Sequence, residues 1–286
     1  MQVQRVGVVG CGLMGSGIAE AAARAALDVR VVELDVLALE NGRDRITSSI
    51  ARAQKAAKLT DAEAEAAIGR IQFSTDIASL ADRQLVIEAV VESESEKVAI
   101  FEMLDKVVES PETILASNTS SIPIMKLAMA TNRPTQVVGI HFFNPVPVLP
   151  LVELVTSLLT SEETTSNAHQ FATKQLGKHV IRSQDRAGFI VNALLIPYVL
   201  SAVRMLESGF ATAEDIDMGM VKGCAHPMGP LALADLIGLD TTIAVANSLY
   251  DEFKEPLYAP PPLLARMVDA GLLGRKSGRG FYSYRA

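Results

Sequence analysis

Little in this chain could build a metal centre or a disulfide framework. Its 286 residues hold two cysteines and four histidines. Cys11 and Cys224 lack the spacing of a metal motif and imply no disulfide scaffold. The histidines are scattered, so zinc catalysis is not expected. With so few cysteines a reduced, cytoplasmic setting is the default expectation. A net charge of −7 argues against nucleic acid as the main partner. No long hydrophobic run is present either. The longest, FIVNALLIPYVL from Phe189 to Leu200, is broken by Asn192 and Pro197 and falls short of a bilayer span. It reads as a helix buried in a core or a subunit interface, with no membrane involved. No secretory leader is expected, because the first apolar run reads as a strand feeding a turn. Internal repeats and low-complexity blocks are also missing.

What is present begins at once. Val3 to Glu20, VQRVGVVGCGLMGSGIAE, reads as an apolar strand, a glycine turn and a small-residue helix. The turn spells G-x-G-x-x-G at Gly10, Gly12 and Gly15, with Leu13 and Met14 between the last two. That order of elements suits a dinucleotide pyrophosphate. Gly10 allows the tight turn, Gly12 lets backbone approach the phosphates, and Gly15 lets helix and strand pack closely. The helix N-terminus supplies N–H groups and a partial positive charge. A second strand follows, and Glu33 stands at its end, about twenty residues past the loop, where an acid accepts the ribose hydroxyls. An acid there repels a 2′-phosphate, which favours NAD over NADP. Asp35, just past the strand, is a rival for the role.

Strands and helices alternate through the first half, which predicts a parallel sheet. A helical region over about 36–69 is followed by strands at 85–90, 113–117 and 137–143. Leu151–Val155 lies only about ten residues after His141. A parallel crossover needs a dozen or more residues, so this pairing is predicted to be antiparallel. Ser161 is expected to cap the next helix. His179–Arg182 is the last strand. From about Asp185 the pattern turns to helices alone, which marks a domain boundary. The fold class is therefore α/β: a Rossmann-type dinucleotide-binding domain over 1–184, then a smaller all-α domain over 185–286.

His141 and Glu153 are the candidates for proton transfer. Each occupies a strand in the carboxyl-edge half of the sheet, where open α/β sheets place their ligands. If the two strands pair, the glutamate reaches one imidazole nitrogen, fixes its tautomer and leaves the other to act as a general acid or base. The same spacing suits a core histidine satisfied by a buried glutamate, and spacing alone does not choose. Ser117-Asn118-Thr119-Ser120-Ser121 is a polar cluster at a strand end. Ser120 is placed to bind a substrate oxygen, and Ser121 to cap a helix. Asn192 is a lone amide in an apolar helix and must find a partner in substrate, the serine cluster or backbone. Arg52, Lys55 and Lys58 follow helical spacing. They read as a solvated face or as a local phosphate site.

Together the glycine loop, HFFNPVP from His141, LVEL around Glu153, SNTSS around Ser120 and GFIVN ending at Asn192 resemble the short-chain L-3-hydroxyacyl-CoA dehydrogenases, and among them the bacterial 3-hydroxybutyryl-CoA dehydrogenase form. The likeness runs to the tail GRKSGRGFY. It implies an NAD-dependent oxidoreductase of fatty acid or butanoate metabolism, acting on an acyl-CoA and dimeric through its helical domain. It implies that His141 is the acid/base and Glu153 its orienting carboxylate, with Ser120 and Asn192 at the substrate oxygen or the cofactor. By the same resemblance Asn144, Glu88, Glu92, Lys97 and Lys276 lie toward the cofactor, and Lys55 falls in a CoA-binding helix with Arg52 and Lys58 beside it. Two departures stand out. Ala187 replaces a proline common before GFIVN, and Leu149-Pro150 stand where a lysine is usual.

Overall fold

The computed structural model describes residues 2–284. The chain divides after Arg186 into two compact units. The first opens with β1 (Arg5–Val9), α1 (Leu13–Arg24), β2 (Asp28–Val32), α2 (Val36–Lys55), α3 (Asp61–Gly69) and β3 (Ile71–Ser74). It continues with β4 (Leu85–Glu88), α4 (Glu94–Val107), β5 (Ile114–Ser117), α5 (Ile124–Met129) and β6 (Val137–Phe142). It closes with β7 (Leu151–Thr156), α6 (Glu162–Gln170) and β8 (His179–Gln184).

The eight strands form one sheet in the order β3-β2-β1-β4-β5-β6-β7-β8. The first six are parallel. β7 runs antiparallel to β6, as the short link demands, and β8 runs parallel to β7. Strand order reverses between β1 and β4, which is the switch point where such sheets bind dinucleotides. β4, β5 and β6 are buried along their whole length, as expected of strands covered on both faces. Leu85 and Ile87 join Ile18, Ile46 and Phe171 in one core cluster. Val86 points to the opposite face by strand alternation.

Two local expectations are corrected. The helical stretch at 36–69 is two helices. α2 stops at Lys55, Ala57 takes a left-handed φ of 54°, and Thr60 starts α3 with a capping box to Glu63. Ser121 does not cap a helix. The first N–H groups of α5, on Ile124 and Met125, donate instead to the Asp185 carboxylate, each at 2.7 Å. Ser161 does cap α6.

The second unit is helical: α7 (Val191–Glu207), α8 (Ala213–Gly223), α9 (Pro230–Ile237), α10 (Leu239–Phe253) and α11 (Pro262–Asp269). Its core gathers Ile196, Leu200, Leu231, Leu239, Leu249 and Leu264. The tail folds back on Asp235, whose carboxylate accepts from the Phe281 and Tyr282 N–H groups and the Tyr284 hydroxyl. Among the described residues no single helix is long and apolar enough to cross a membrane.

Candidate active site

The three loop glycines answer to three different constraints. Gly10 has a φ of 90°, and a Cβ there would lie 2.8 Å from the Ala89 carbonyl oxygen. A Cβ at Gly15 would fall 1.9 Å from the Gly10 carbonyl oxygen. A Cβ at Gly12 would meet no protein atom within 4 Å. Packing therefore requires the first and third glycines, and the second keeps space open over the helix end. α1 has no side-chain cap and no acid in its first turn. Its N–H groups and partial positive charge suit an anion such as a pyrophosphate, so the residues fit a dinucleotide.

Glu33 follows β2 and accepts from the Cys11 and Leu34 N–H groups, which ties its carboxylate to the glycine loop. Asp35, the rival, is taken up as the N-cap of α2, accepting from Ala38 N–H at 2.8 Å. That leaves Glu33 as the acid beside the loop.

On the other half of the sheet, His141 and Glu153 are direct partners in the β6–β7 register. His141 Nδ1 lies 2.7 Å from Glu153 Oε2. A carboxylate only accepts, so Nδ1 carries the N–H that faces Glu153. Glu153 is fully buried and His141 nearly so. The Phe143 ring packs against the imidazole at 4.7 Å. The pair is thus preorganised by strand register. Asn118 ties β5 to β6 beside it by accepting from Phe142 N–H at 2.9 Å.

Between these halves lies a cluster that sequence spacing did not reveal. Glu88, at the end of β4, is wholly buried and does not itself line a surface. Its Oε1 accepts from Lys97 Nζ at 2.6 Å and Val90 N–H at 2.7 Å, and its Oε2 from the Ser117 hydroxyl at 2.6 Å. Lys97, also buried, lies 3.4 Å from Glu92 Oε2. Glu92 Oε1 accepts from the Thr119 hydroxyl at 2.6 Å and Ser120 N–H at 2.8 Å, and from the Ser120 and Ser121 hydroxyls. Burial pushes the Glu92 carboxyl up, but the Lys97 ammonium and these hydrogen bonds outweigh it and hold it below the ordinary carboxylate range. The signal was a strand-terminal glutamate with a lysine nine residues on, one turn inside the next helix.

A groove of about 420 Å³ runs along α1 and α2, lined by Ser16, Arg45, Ser49, Arg52, Asn144 and Pro147 among others. Arg52 and Asn144 therefore meet there. Lys55, the last residue of α2, and Lys58, beyond the helix end, do not line it. Beside Leu149-Pro150, Lys178 Nζ donates to the Val146 and Leu149 carbonyls at 2.6 and 2.8 Å. In the second unit, Asn192 lies in the first turn of α7. Lys276 donates to Asp240 Oδ2.

A mostly parallel sheet with its switch point beside an open glycine loop is the arrangement of a dinucleotide-binding protein. Comparison with known proteins narrows the class. Residues 5–186 match the NAD binding domain of 3-hydroxyacyl-CoA dehydrogenase, and residues 188–284 match its C-terminal domain. The chain belongs to the 3-hydroxyacyl-CoA dehydrogenase family, and its cofactor is NAD. It is 59% identical over 282 residues to a 3-hydroxybutyryl-CoA dehydrogenase of Mycobacterium tuberculosis, covering 99% of each chain. The crystal structure of M. tuberculosis FadB2 superposes with a TM-score of 0.99 at 58% identity over 100% of both chains. That of (S)-3-hydroxybutyryl-CoA dehydrogenase PaaH1 from Ralstonia eutropha gives 0.93 at 47% identity, again over 100% of both.

Proposed function

We propose that this protein interconverts 3-hydroxyacyl-CoA, with 3-hydroxybutyryl-CoA foremost, and 3-oxoacyl-CoA, in fatty acid or butanoate metabolism of the cytoplasm. The observation that carries the reading is the 2.7 Å contact of His141 Nδ1, near the carboxyl end of β6, with Glu153 on β7. Gly10, Gly12, Leu13, Met14 and Gly15 hold the pyrophosphate, Glu33 the adenosine ribose, and Glu92, Asn144 and Lys276 the nicotinamide half, with the buried Lys97 behind Glu92. Bound NAD supplies the hydride acceptor. His141 Nε2 takes the proton of the 3-hydroxyl in oxidation and returns it in reduction. Glu153 keeps the ring oriented and faces the positive charge that develops on it. Ser120 and Asn192 hold the reacting oxygen. Arg52 in the groove, with Lys55 and Lys58 beyond it, draws the CoA phosphates. The apolar helix α7 serves a homodimer.

The test is loss of NADH absorbance with acetoacetyl-CoA, set against acetoacetate as the free acid. Turnover is expected with the thioester and little with the acid. His141→Ala and Glu153→Gln are expected to lose about 10²- to 10⁴-fold in turnover while NADH affinity changes little. Equal turnover of the free acid, or parallel loss of cofactor binding in both variants, overturns the reading.

A further inference from the structure

The carboxyl edge of the sheet is unevenly charged. Val9, Glu88, Ser117 and Gly139 form one row across β1, β4, β5 and β6 by register. The half beyond β1, over β4 to β6, is where the second mononucleotide of a dinucleotide lies in such sheets. Three carboxylates lie on this side of β1, Glu88 and Glu92 together at the end of β4 and Glu153 apart from them on β7. Lys97 is the ammonium that joins two of them, and it sits nearer Glu88, at 2.6 Å against 3.4 Å for Glu92. Glu94 is matched separately by Lys126 at 2.7 Å. Two carboxylates against one ammonium leave the Glu88–Lys97–Glu92 cluster with one net negative charge. Glu88 is sealed in, whereas the Glu92 side chain is 32% exposed. The net charge therefore faces outward on Glu92.

We propose that this cluster sets the cofactor's redox preference: the surplus charge on Glu92 binds the cationic ring of oxidised NAD more tightly than the neutral ring of NADH. The inference rests on the proposed placement of the nicotinamide over this half. Glu88 is a positioning residue here. It fixes Lys97 and, through Ser117 and Thr119, the serine run that cradles Glu92 Oε1. Those hydrogen bonds, with Lys97, keep the Glu92 carboxylate ionised at neutral pH. A cofactor held more tightly when oxidised is a stronger hydride donor when reduced, so the same charge favours reduction of the 3-oxo substrate in the bound complex and leaves the equilibrium in solution unchanged.

The experiment measures dissociation constants of NAD and NADH separately, by calorimetry and by NADH fluorescence, for the full chain and for Glu92→Gln and Glu92→Asp. Glu92→Gln removes the charge but keeps an acceptor oxygen. Glu92→Asp keeps the charge on a shorter stem. Glu92→Gln is expected to weaken NAD about three- to tenfold more than NADH, the effect of one unit charge several ångströms away at a wet surface. Glu92→Asp is expected to hold the wild-type ratio, and the wild-type ratio is expected to move toward that of Glu92→Gln as salt is raised. Equal weakening of both forms by Glu92→Gln overturns the proposal, as does an equal shift of the ratio in both variants. Failure of the unaltered chain to bind either form overturns instead the cofactor placement on which it rests.

Discussion

Cys11 sits inside the glycine loop with its sulfur against α2, where a Cβ on Gly42 would lie 2.4 Å from Sγ. Sequence alone places it between Gly10 and Gly12 and gives it no metal or disulfide role. The structure shows why it must be small and why it is inert. The thiol is fully buried. Burial, with the Glu33 carboxylate adding and Arg45 opposing, pushes it up to about 12, and only the thiolate is a nucleophile. Cys224 is exposed. Iodoacetamide at mildly alkaline pH is therefore expected to label Cys224 in the native protein and to reach Cys11 only in denaturant. Peptide mass spectrometry reads both sites, and native labelling of Cys11 at a rate comparable to Cys224 contradicts the account. Gly42→Ala is the companion change: it forces the loop or α2 to move, with a stability loss of about 1–3 kcal/mol expected for overpacking.

Elements here are tied at their ends by carboxylates whose partners lie far off in sequence. Asp105, in the last turns of α4, accepts from Asn132 N–H at 3.0 Å and from its side-chain amide at 2.8 Å, and pairs with Arg133 Nε at 2.7 Å. It thereby anchors the turn that leads into β6, the strand of His141. Burial raises this carboxyl, but the Asn132 and Arg133 contacts outweigh it and lower it. A carboxyl lowered on folding stabilises fully above its unfolded value and loses that contribution as pH falls through its folded one. Asp105→Asn is expected to cost about 1–3 kcal/mol in urea unfolding at neutral pH. The gap to wild type should close below about pH 4; a gap independent of pH argues against the ionic tie. Such ties mark the limit of what the sequence made legible. Apolar runs located β4, β5 and β6, and the ten-residue link made β7 antiparallel and so paired His141 with Glu153. The break at Ala57 was hidden, because alanine and lysine favour helix on either side of it. Asp185 as the cap of α5, and Glu92 under the serines, were hidden because 61 and 29 residues separate the partners and periodicity carries no information over that range.

Taken whole, the chain buries one apolar core per unit, yet leaves apolar surface on the second. α7 turns Ile196, Val199, Leu200 and Val203 inward, while Leu194 and Met205 on its other side are 72% and 40% exposed. Phe210 and Met218 are 78% and 58% exposed on the same unit. Apolar side chains left in water on the outer side of a helix mark a surface that a partner covers, and that supports the proposed homodimer. A two-fold interface uses every contact twice. Burial of one leucine stabilises by about 1.5–3 kcal/mol, so Leu194→Asp removes about 3–6 kcal/mol from association, or roughly 10²- to 10⁴-fold in the dimer dissociation constant. Sedimentation equilibrium is expected to give twice the chain mass for the wild type and a concentration-dependent shift toward the single chain for Leu194→Asp, with unchanged helical circular dichroism in both. A wild-type chain that sediments as a single copy at every working concentration removes the dimer. A Leu194→Asp variant that stays fully dimeric moves the interface off this face of α7.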